Sequence, residues 1–415
     1  MVRSTLLTIK PIDYIFNPIK QTGLKMRNVY LDNNATTPMA KEVIELIKDN
    51  VELYGNASSM HRSGRDADTA VEWAREQVAS LINCDKKGIV FTSGASEANN
   101  FVFLTFRDLI DEGYKRNRII TTTIEHPCIE ETSQYLIKRG YKVDFLSVDR
   151  TGKISLKELE EKLGDDVALV SIMTGNNEVG TIEPIKEACA LAHKAGALFH
   201  TDATQAIGKI DVDVKAWDVD YLSMSAHKFY GPKGVGALYA RPGVPLRPLI
   251  HGGHQERGFR AGTYNTLAIA GMGEAARLAK LSWKEEAEYL WDLREMLRKG
   301  IEEKIPNVVI NGHPTDCLPG TLDVSFPCAE GESILLYLDM EGIQVSTGSA
   351  CATGSLEPSY VLLACGVDVE IAHGSIRFSL GRENTKEDIE YVLEKLPPII
   401  KRVRMMSTRK EQSNG

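Results

Sequence analysis

The sequence predicts an α/β fold, with a mostly parallel sheet covered by helices on both faces and a smaller α+β unit after it. From Ile89 to Ala240, short apolar runs alternate with amphipathic stretches, which is the order of parallel strands joined by crossover helices. Residues 308–381 instead mix short strands with helices, which favours a separate smaller unit. The length of 415 residues supports this division, because one hydrophobic core rarely serves so long a chain.

Each element follows from a local pattern. The apolar runs predict strands at 89–92, 118–124, 142–147, 167–173, 197–201, 220–225 and 235–240. The amphipathic stretches predict helices that follow Pro38 as far as 51 and that span 65–81, 97–111, 127–139, 184–195, 265–280, 283–305 and 385–405. Ser155-Leu-Lys-Glu158 and Thr385-Lys-Glu-Asp388 have the spacing of capping boxes. Parallel strands end at one edge of their sheet, so the functional site is expected there.

Composition excludes several classes of protein. The net charge of −8 argues against a nucleic-acid-binding surface as the main function. Apolar runs stay well short of the ~20 residues that a membrane-spanning helix needs. The seven cysteines are odd in number and irregularly spaced, which argues against a disulfide framework or a structural zinc site and favours a reducing compartment.

The first 28 residues are basic. Their single acidic residue is Asp13, against five cations at Arg3, Lys10, Lys20, Lys25 and Arg27. This bias is typical of an organelle-targeting peptide, and the other interpretation is a disordered or lightly docked extension. Because the cysteines favour a reducing compartment, we predict a cytoplasmic protein. A mitochondrial or related organelle location is the alternative if residues 1–28 are a targeting peptide.

Lys228 lies in Ser225-Ala-His-Lys-Phe-Tyr-Gly-Pro-Lys-Gly234, between two apolar runs. A lysine at a strand end beside polar residues and a glycine turn suits a Schiff-base amine, since burial and neighbouring cations make an amine nucleophilic. Taken alone, such a motif is more often an exposed loop lysine. Asp202 follows another strand, and a carboxylate there could keep a pyridine nitrogen protonated. Phe91-Thr-Ser-Gly-Ala-Ser-Glu97 adds a turn and a helix start suited to phosphate.

Lysine, aspartate and anion cradle together resemble the fold-type I pyridoxal phosphate enzymes. Further blocks sharpen the resemblance to the cysteine desulfurases of the NifS/IscS group, whose cysteine loop is long. These blocks are Leu31-Asp-Asn-Asn-Ala-Thr-Thr-Pro38, Thr123-Ile-Glu-His126, Asn176-Asn-Glu-Val-Gly180, Glu256-Arg-Gly-Phe-Arg-Ala-Gly-Thr263, Ser349-Ala-Cys-Ala-Thr-Gly-Ser-Leu-Glu-Pro-Ser-Tyr360 and Ser375-Ile-Arg-Phe-Ser-Leu-Gly-Arg382. The resemblance covers about residues 29 to 405. It implies an extension at 1–28, a large cofactor-binding domain at 45–285, and a small domain from 29–44 and 286–415 that carries the cysteine loop.

The resemblance also implies roles for individual residues. Lys228, His126 and Cys351 are the implied catalytic residues, with Lys228 bound to pyridoxal 5'-phosphate, His126 stacked on its ring and Cys351 as the nucleophile. The other implied cofactor-binding residues are Asp202, Gln205, Ala95, Ser96, Asn177, Ser225, His227 and Thr263. Thr263 matches a position that reaches the phosphate of the other subunit, which implies a homodimer. The implied substrate-binding residues are Arg377, Asn177 and Asn34, with Arg377 as a two-bond clamp for a carboxylate.

Two departures from the family pattern stand out. Ser96 replaces a frequent threonine and keeps the hydroxyl, and Cys351-Ala-Thr-Gly replaces a frequent Cys-Thr-Ser and keeps the thiol. No resident metal site is expected, and a transient iron–sulfur ligand role for Cys351 stays open.

The implied reaction converts L-cysteine to L-alanine and leaves the sulfur as a persulfide on Cys351. Implied acceptors are an iron–sulfur scaffold protein of the IscU/NifU type or a tRNA-thiolation relay. A selenocysteine lyase, an aminotransferase and a non-catalytic partner of another desulfurase are the alternatives.

Overall fold

The computed structural model describes residues 27–347 and 358–407. The residues that the sequence analysis assigned to the N-terminal extension before Arg27, the cysteine-loop residues 348–357 and the end of the tail lie outside the described residues. The strands are Val29–Tyr30 (β1), Ile89–Thr92 (β2), Arg118–Thr122 (β3), Lys142–Leu146 (β4), Val167–Ser171 (β5), Leu198–Asp202 (β6), Tyr221–Ser225 (β7), Gly236–Ala240 (β8), Val309–Asn311 (β9), Thr321–Ser325 (β10), Ile343–Gln344 (β11) and Ser375–Ser379 (β12). The helices are Lys41–Asp49 (α1), Arg62–Leu81 (α2), Ala95–Asp111 (α3), Pro127–Ile137 (α4), Leu156–Lys162 (α5), Ile185–Lys194 (α6), Val214–Trp217 (α7), Thr266–Lys304 (α8), Gly331–Met340 (α9), Tyr360–Ala364 (α10), Val369–Ala372 (α11) and Lys386–Met406 (α12).

The large sheet has the strand order β2-β8-β7-β6-β5-β3-β4. Strand β8 is antiparallel to both of its neighbours, and the other pairs in this sheet are parallel. All the strands predicted between residues 89 and 240 are confirmed, within two residues at each end. The carboxyl ends of β2, β3, β5, β6 and β7 therefore share one edge, which is where a site was expected.

Apolar side chains on the two faces of this sheet form two cores beneath the helices. A further core lies around the antiparallel sheet β12-β10-β9 and combines Val29 and Leu31 with residues from Leu290 to Val403. The pairing of β1 with β11 adds the N-terminal strand to this part of the molecule. The exact domain boundaries stay predictions.

The prediction of two helices at 265–280 and 283–305 is wrong, because α8 runs through both without a break. No glycine or proline interrupts the chain near Ser282, and its hydroxyl donates to the carbonyl of Leu278 one turn earlier. What changes along α8 is its packing partner. Its first half packs into the core of the large sheet, and from Leu290 on it packs into the smaller core.

The two predicted capping boxes have different outcomes. At Thr385 both reciprocal hydrogen bonds are present, so this box is confirmed. At Ser155 the side chain accepts from the N–H of Glu158, but the carboxylate of Glu158 instead accepts hydrogen bonds from Ser147. Within the described ranges 27–347 and 358–407, no helix is both long and apolar enough to traverse a bilayer.

A buried ion pair fixes the segment that follows the sheet. Both guanidinium Nη atoms of Arg75 on α2 donate to the carboxylate of Glu256, at 2.7 and 2.8 Å. Each side chain is only 2% exposed, and Glu256 also accepts from the N–H of Phe91 on β2. The pair therefore anchors residues 255–264 beside the carboxyl end of β2.

We expect Arg75→Met to lower the free energy of unfolding by about 3–5 kcal/mol, because it leaves the Glu256 carboxylate buried without a counter-charge. Urea unfolding followed by fluorescence measures this loss. Arg139→Met is the matched control, since both guanidinium groups stack on an aromatic ring but Arg139 is exposed. The control is expected to change stability by less than about 0.5 kcal/mol. Equal stability of the two variants would contradict the anchoring role of the buried pair.

Candidate active site

The carboxyl edge of the large sheet opens into a cleft of about 710 Å³. The cleft brings together eleven residues that the sequence analysis singled out: Asn34, Ala95, Ser96, His126, Asn177, Asp202, Gln205, Ser225, His227, Lys228 and Arg377. They come from the ends of β2, β3, β5, β6 and β7, from the segment after β1, and from β12. Cys351 lies outside the described residues.

The turn after β7 directs Lys228 into the cleft. Its Nζ donates to the main-chain oxygens of Asn34 and Ala35, the latter at 2.9 Å. A Cβ on Gly231 would lie 2.8 Å from the Ala226 side chain, so glycine is needed for the chain to fold back here. The tight turn thus brings the amine onto the segment between β1 and α1.

Asp202 is the last residue of β6 and is 5% exposed. One carboxylate oxygen accepts from Asn99 Nδ2 at 2.6 Å, and the other accepts from the N–H of Thr204 at 2.9 Å. Asn99 lies on α3, one turn beyond the proposed phosphate residues, and sequence reasoning missed it. Two hydrogen bonds hold the carboxylate in a fixed orientation at the wall of the cleft.

His126 caps the start of α4, after β3. Burial lowers its pKa below the usual 6.5; the nearby Lys228 adds to this effect, while Asp202 opposes it. Its Nδ1 accepts from the N–H of Cys128 at 3.2 Å and lies 3.1 Å from the Cys128 thiol. An Nδ1 that accepts hydrogen bonds carries no proton, so the neutral ring holds its proton on Nε2.

Sequence reasoning also missed Cys128, which lines the cleft two residues after His126. Burial, and secondarily the charge of Asp202, raises the pKa of this thiol to about 12. The thiol therefore keeps its proton at neutral pH and can donate a hydrogen bond. It is a weak nucleophile in this form, because only a thiolate is strongly nucleophilic.

The start of α3 forms an anion cradle. The first N–H groups of a helix lack partners within the helix, and they carry the positive end of its dipole. Ala95 and Ser96 occupy these positions, and a Cβ on Gly236 would lie 2.7 Å from Gly94 Cα, which requires glycine on β8. Lys228 and Lys233 add positive charge to the lining of the same cleft. A phosphate group fits this combination of charge and donors.

Arg377 enters the cleft from β12. Its Nη1 donates to the carbonyl of Asn177 at 3.0 Å, and its Nη2 donates to Asp32 Oδ1 at 2.8 Å. Asp32 is another residue that sequence reasoning did not single out. Three buried polar atoms of the lining have no hydrogen-bond partner among the described residues, namely Arg377 Nε, Asn177 Oδ1 and Thr204 Oγ1. Such atoms suit a polar ligand with both donors and acceptors.

Thr263 does not line this cleft. It lies in a smaller pocket of about 270 Å³, which shares Ser93 and Gly234 with the cleft. The ion pair of Arg75 with Glu256 fixes the segment that carries Thr263. Within one chain, Thr263 is thus beside the cleft and outside it.

The sequence is similar to those of known enzymes over most of its length. The family model for the class-V aminotransferases matches residues 29–392. A cysteine desulfurase IscS of Clostridium botulinum (strain Hall) is 51% identical over 385 residues, which are 92% of this chain and 96% of the relative. The chain belongs to the NifS/IscS group of cysteine desulfurases. A mitochondrial cysteine desulfurase of Saccharomyces cerevisiae is 46% identical over 394 residues, which are 94% of this chain and 78% of that protein.

The solved structure of a NifS-like protein has a TM-score of 0.85 with this desulfurase, at 42% identity, and covers 90% of this chain and 100% of its own. These matches confirm the predicted fold-type I architecture, the enzyme class and the dependence on pyridoxal 5'-phosphate.

We expect His126 to titrate below pH 6.5 in the full-length protein and Cys128→Ala to raise that pKa by ~0.5–1 unit, because one donor to the neutral ring is lost. Proton NMR of the histidine ring measures the titration. Cys128→Ser is the matched control, since a hydroxyl can still donate to Nδ1. An unchanged pKa in the alanine variant would show that the thiol does not hold the tautomer.

Proposed function

We propose that this desulfurase converts L-cysteine into L-alanine and carries the removed sulfur as a persulfide on Cys351. The observation that supports the proposal most strongly is the meeting of Lys228, Asp202 and Arg377 in one cleft. These residues supply an amine, a buried carboxylate and a carboxylate-binding cation. Cys351 is only five residues beyond Ser346, which lines the cleft, so the chain allows it a reach of up to roughly 17 Å.

The cleft offers a complementary group for each part of pyridoxal 5'-phosphate, which supplies an electron-accepting ring when bound. Lys228 Nζ is the amine that would form the covalent link, and the fixed carboxylate of Asp202 would pair with a protonated ring nitrogen. His126 lines the cleft beside them, and Gln205, also in the lining, would donate a hydrogen bond to the ring oxygen. Ala95, Ser96, Ser225 and His227 would hold the phosphate, together with Thr263 of a second copy of this chain. Asn177 would reach the ring oxygen and the substrate.

Arg377 would bind the α-carboxylate of the substrate. Nε and Nη2 form one edge of the guanidinium group. Nε has no hydrogen-bond partner among the described residues, and Nη2 has a second hydrogen besides the one donated to Asp32. Such an edge suits two parallel hydrogen bonds to a carboxylate. The opposite corner is occupied by the carbonyl of Asn177. Asp32 keeps the guanidinium in place through Nη2. Asn34, whose side chain binds Asn177, completes this wall.

The sulfur step balances without an external oxidant. The Cys351 thiolate forms a bond to the substrate sulfur while the bond between that sulfur and the substrate β-carbon breaks. The products are a persulfide and, after protonation of the carbon, L-alanine. Lys228 Nζ and His126 Nε2 are the groups in the cleft that can hold and move the protons.

The sulfur would pass to an iron–sulfur scaffold protein of the IscU/NifU type or to a tRNA-thiolation relay. A cytoplasmic location follows the bacterial relatives, and the yeast mitochondrial relative keeps the organelle alternative. Both the acceptor and the location are proposals.

We expect Cys351→Ala to bind L-cysteine with a visible spectral change but to release less than ~1% of the wild-type sulfide, because no other nucleophile replaces it. Sulfide and alanine are measured together in the presence of a reductant. Cys328→Ala is the control for loss of a thiol elsewhere and should retain the wild-type rate. Treatment of the wild type with L-cysteine should add the mass of one sulfur to the Cys351 peptide.

Wild-type sulfide release by Cys351→Ala, or an added sulfur on Cys328 instead, would contradict the proposed role. Turnover on L-selenocysteine but not on L-cysteine would establish a lyase. A need for a 2-oxo acid would establish an aminotransferase, and a protein that never turns yellow with added cofactor would establish a non-catalytic partner.

We expect a homodimer in which each cleft uses Thr263 of the other chain. Lys228→Ala and Thr263→Ala should each reduce activity strongly, whereas mixed dimers of the two variants should recover about half of the wild-type activity per mixed dimer. Such a dimer has one cleft with native Lys228 and, from its partner, native Thr263. Sedimentation verifies two chains. No recovery in purified mixed dimers would mean that Thr263 acts within its own chain.

A further inference from the structure

Lys209 lies behind the wall of the cleft, one turn after Gln205. Its Nζ donates to Gln205 Oε1 at 2.9 Å and to Asn34 Oδ1 at 3.1 Å. The backbone turns helically here, since the N–H groups of Lys209 and Ile210 both donate to the carbonyl of Ala206. This turn places side chains four residues apart on one face. One ammonium group thus contacts two amides that line the cleft.

A protonated lysine side chain donates hydrogen bonds and accepts none, so in that form it binds only the oxygen end of an amide. Protonated Lys209 therefore favours the orientation in which both amides direct their oxygen toward it. With its oxygen held, Gln205 turns Nε2 toward the main-chain oxygen of Asn34, at 2.9 Å, and keeps a second N–H hydrogen at the cleft wall. Asn34 likewise turns Nδ2 toward the carbonyl of Asn177 and the hydroxyl of Thr321.

The same Asn34 also joins Lys209 to the reactive lysine. The main-chain oxygen of Asn34 accepts from both Lys228 and Gln205, while its side-chain oxygen accepts from Lys209. A reversed Asn34 amide would present its NH₂ group to an ammonium and its oxygen to a carbonyl. Both contacts would be repulsive, so Lys209 and the Asn177 carbonyl together favour the observed orientation.

The surroundings of Lys209 destabilise its charged form. No ion pair among the described residues includes it, and the charged groups that act on it are Lys228 and Arg377, which repel it, and Glu286, which attracts it. Burial, and then these two cations, lower its pKa to about 7. Burial of such an amine contributes little to stability. Its hydrogen-bond donors instead bind the oxygens of the Gln205 and Asn34 amides.

We propose that Lys209 is a positioning residue that makes Gln205 present a hydrogen-bond donor to the cofactor oxygen. A reversed Gln205 would offer its carbonyl oxygen and repel an oxygen that carries negative charge. The inference rests on the proposed function, because the role of Gln205 at the ring oxygen belongs to that proposal.

The test is a double-mutant cycle on cofactor affinity in the full-length protein. Lys209→Met should raise the dissociation constant of pyridoxal 5'-phosphate by ~10-fold to ~100-fold, as expected for the loss of an oriented polar contact. In a Gln205→Ala background the same change should have less than about a threefold effect, because there is no amide to orient. Fluorescence quenching of the apoprotein on cofactor addition measures each constant.

Lys280→Met is the matched control. Lys280 donates from an exposed position to two oxygens of Ser80, far along the chain from the cleft residues, and its loss should leave cofactor affinity unchanged. Lys209→Arg, which also only donates, should restore affinity to within ~3-fold of the wild type. The visible absorbance titration of the loaded protein should shift in Lys209→Met and not in Lys280→Met.

Equal effects of Lys209→Met in the two backgrounds would overturn the inference, since a purely structural role does not need Gln205. Wild-type affinity in Lys209→Met would overturn it as well. If the methionine variant does not fold, Lys209→Gln takes its place with the same expectation, because a glutamine side chain can also accept. Failure of the wild-type protein to bind the cofactor would instead refute the proposed function.

Discussion

The rest of the site depends on the contacts of one amide residue, Asn34. Its two oxygens accept from Lys209, Lys228 and Gln205, and its nitrogen donates to the carbonyl of Asn177. Asn34 follows β1, which belongs to the smaller sheet system, whereas the lysines belong to the large sheet. These hydrogen bonds therefore hold the segment after β1 against the large sheet. The contact lies at the cleft.

Charge in the cleft follows from unequal burial. Lys228, Lys233 and Arg377 supply cations. Asp32, Glu97 and Asp202 supply the carboxylates of the lining, of which Glu97 is paired with Arg260. Two further carboxyl groups near Arg377 lie deeper, and burial raises the pKa values of Glu178 and Asp323 to about 7. Partial neutralisation of these groups leaves the guanidinium less compensated. A cleft of this character favours ligands that carry phosphate and carboxylate groups.

Local patterns were enough to predict the strands, because a strand buried between helices is apolar throughout its length. The residues of the cleft were predictable for a different reason, because their motifs resemble those of a known family, and the cleft gathers eleven of them. Asn99 was missed because its partner Asp202 is distant along the chain. Cys128 and Lys209 are close in sequence to His126 and Gln205, but their contacts depend on the local turns of the folded backbone. The continuity of α8 was missed because a change of packing partner resembles a helix end in the sequence.

The anchors of the segment that contains Cys351 connect sulfur removal to substrate binding. On one side, the backbone of Ser346 pairs with that of Arg377 through two hydrogen bonds of 2.7 and 3.2 Å. On the other side, the hydroxyl of Ser359 donates to the carboxylate of Glu178, next to Asn177. One anchor is thus Arg377 itself, and the other is next to Asn177, whose carbonyl accepts from Arg377. The described residues on either side of the segment that contains Cys351 are therefore held beside the proposed substrate clamp.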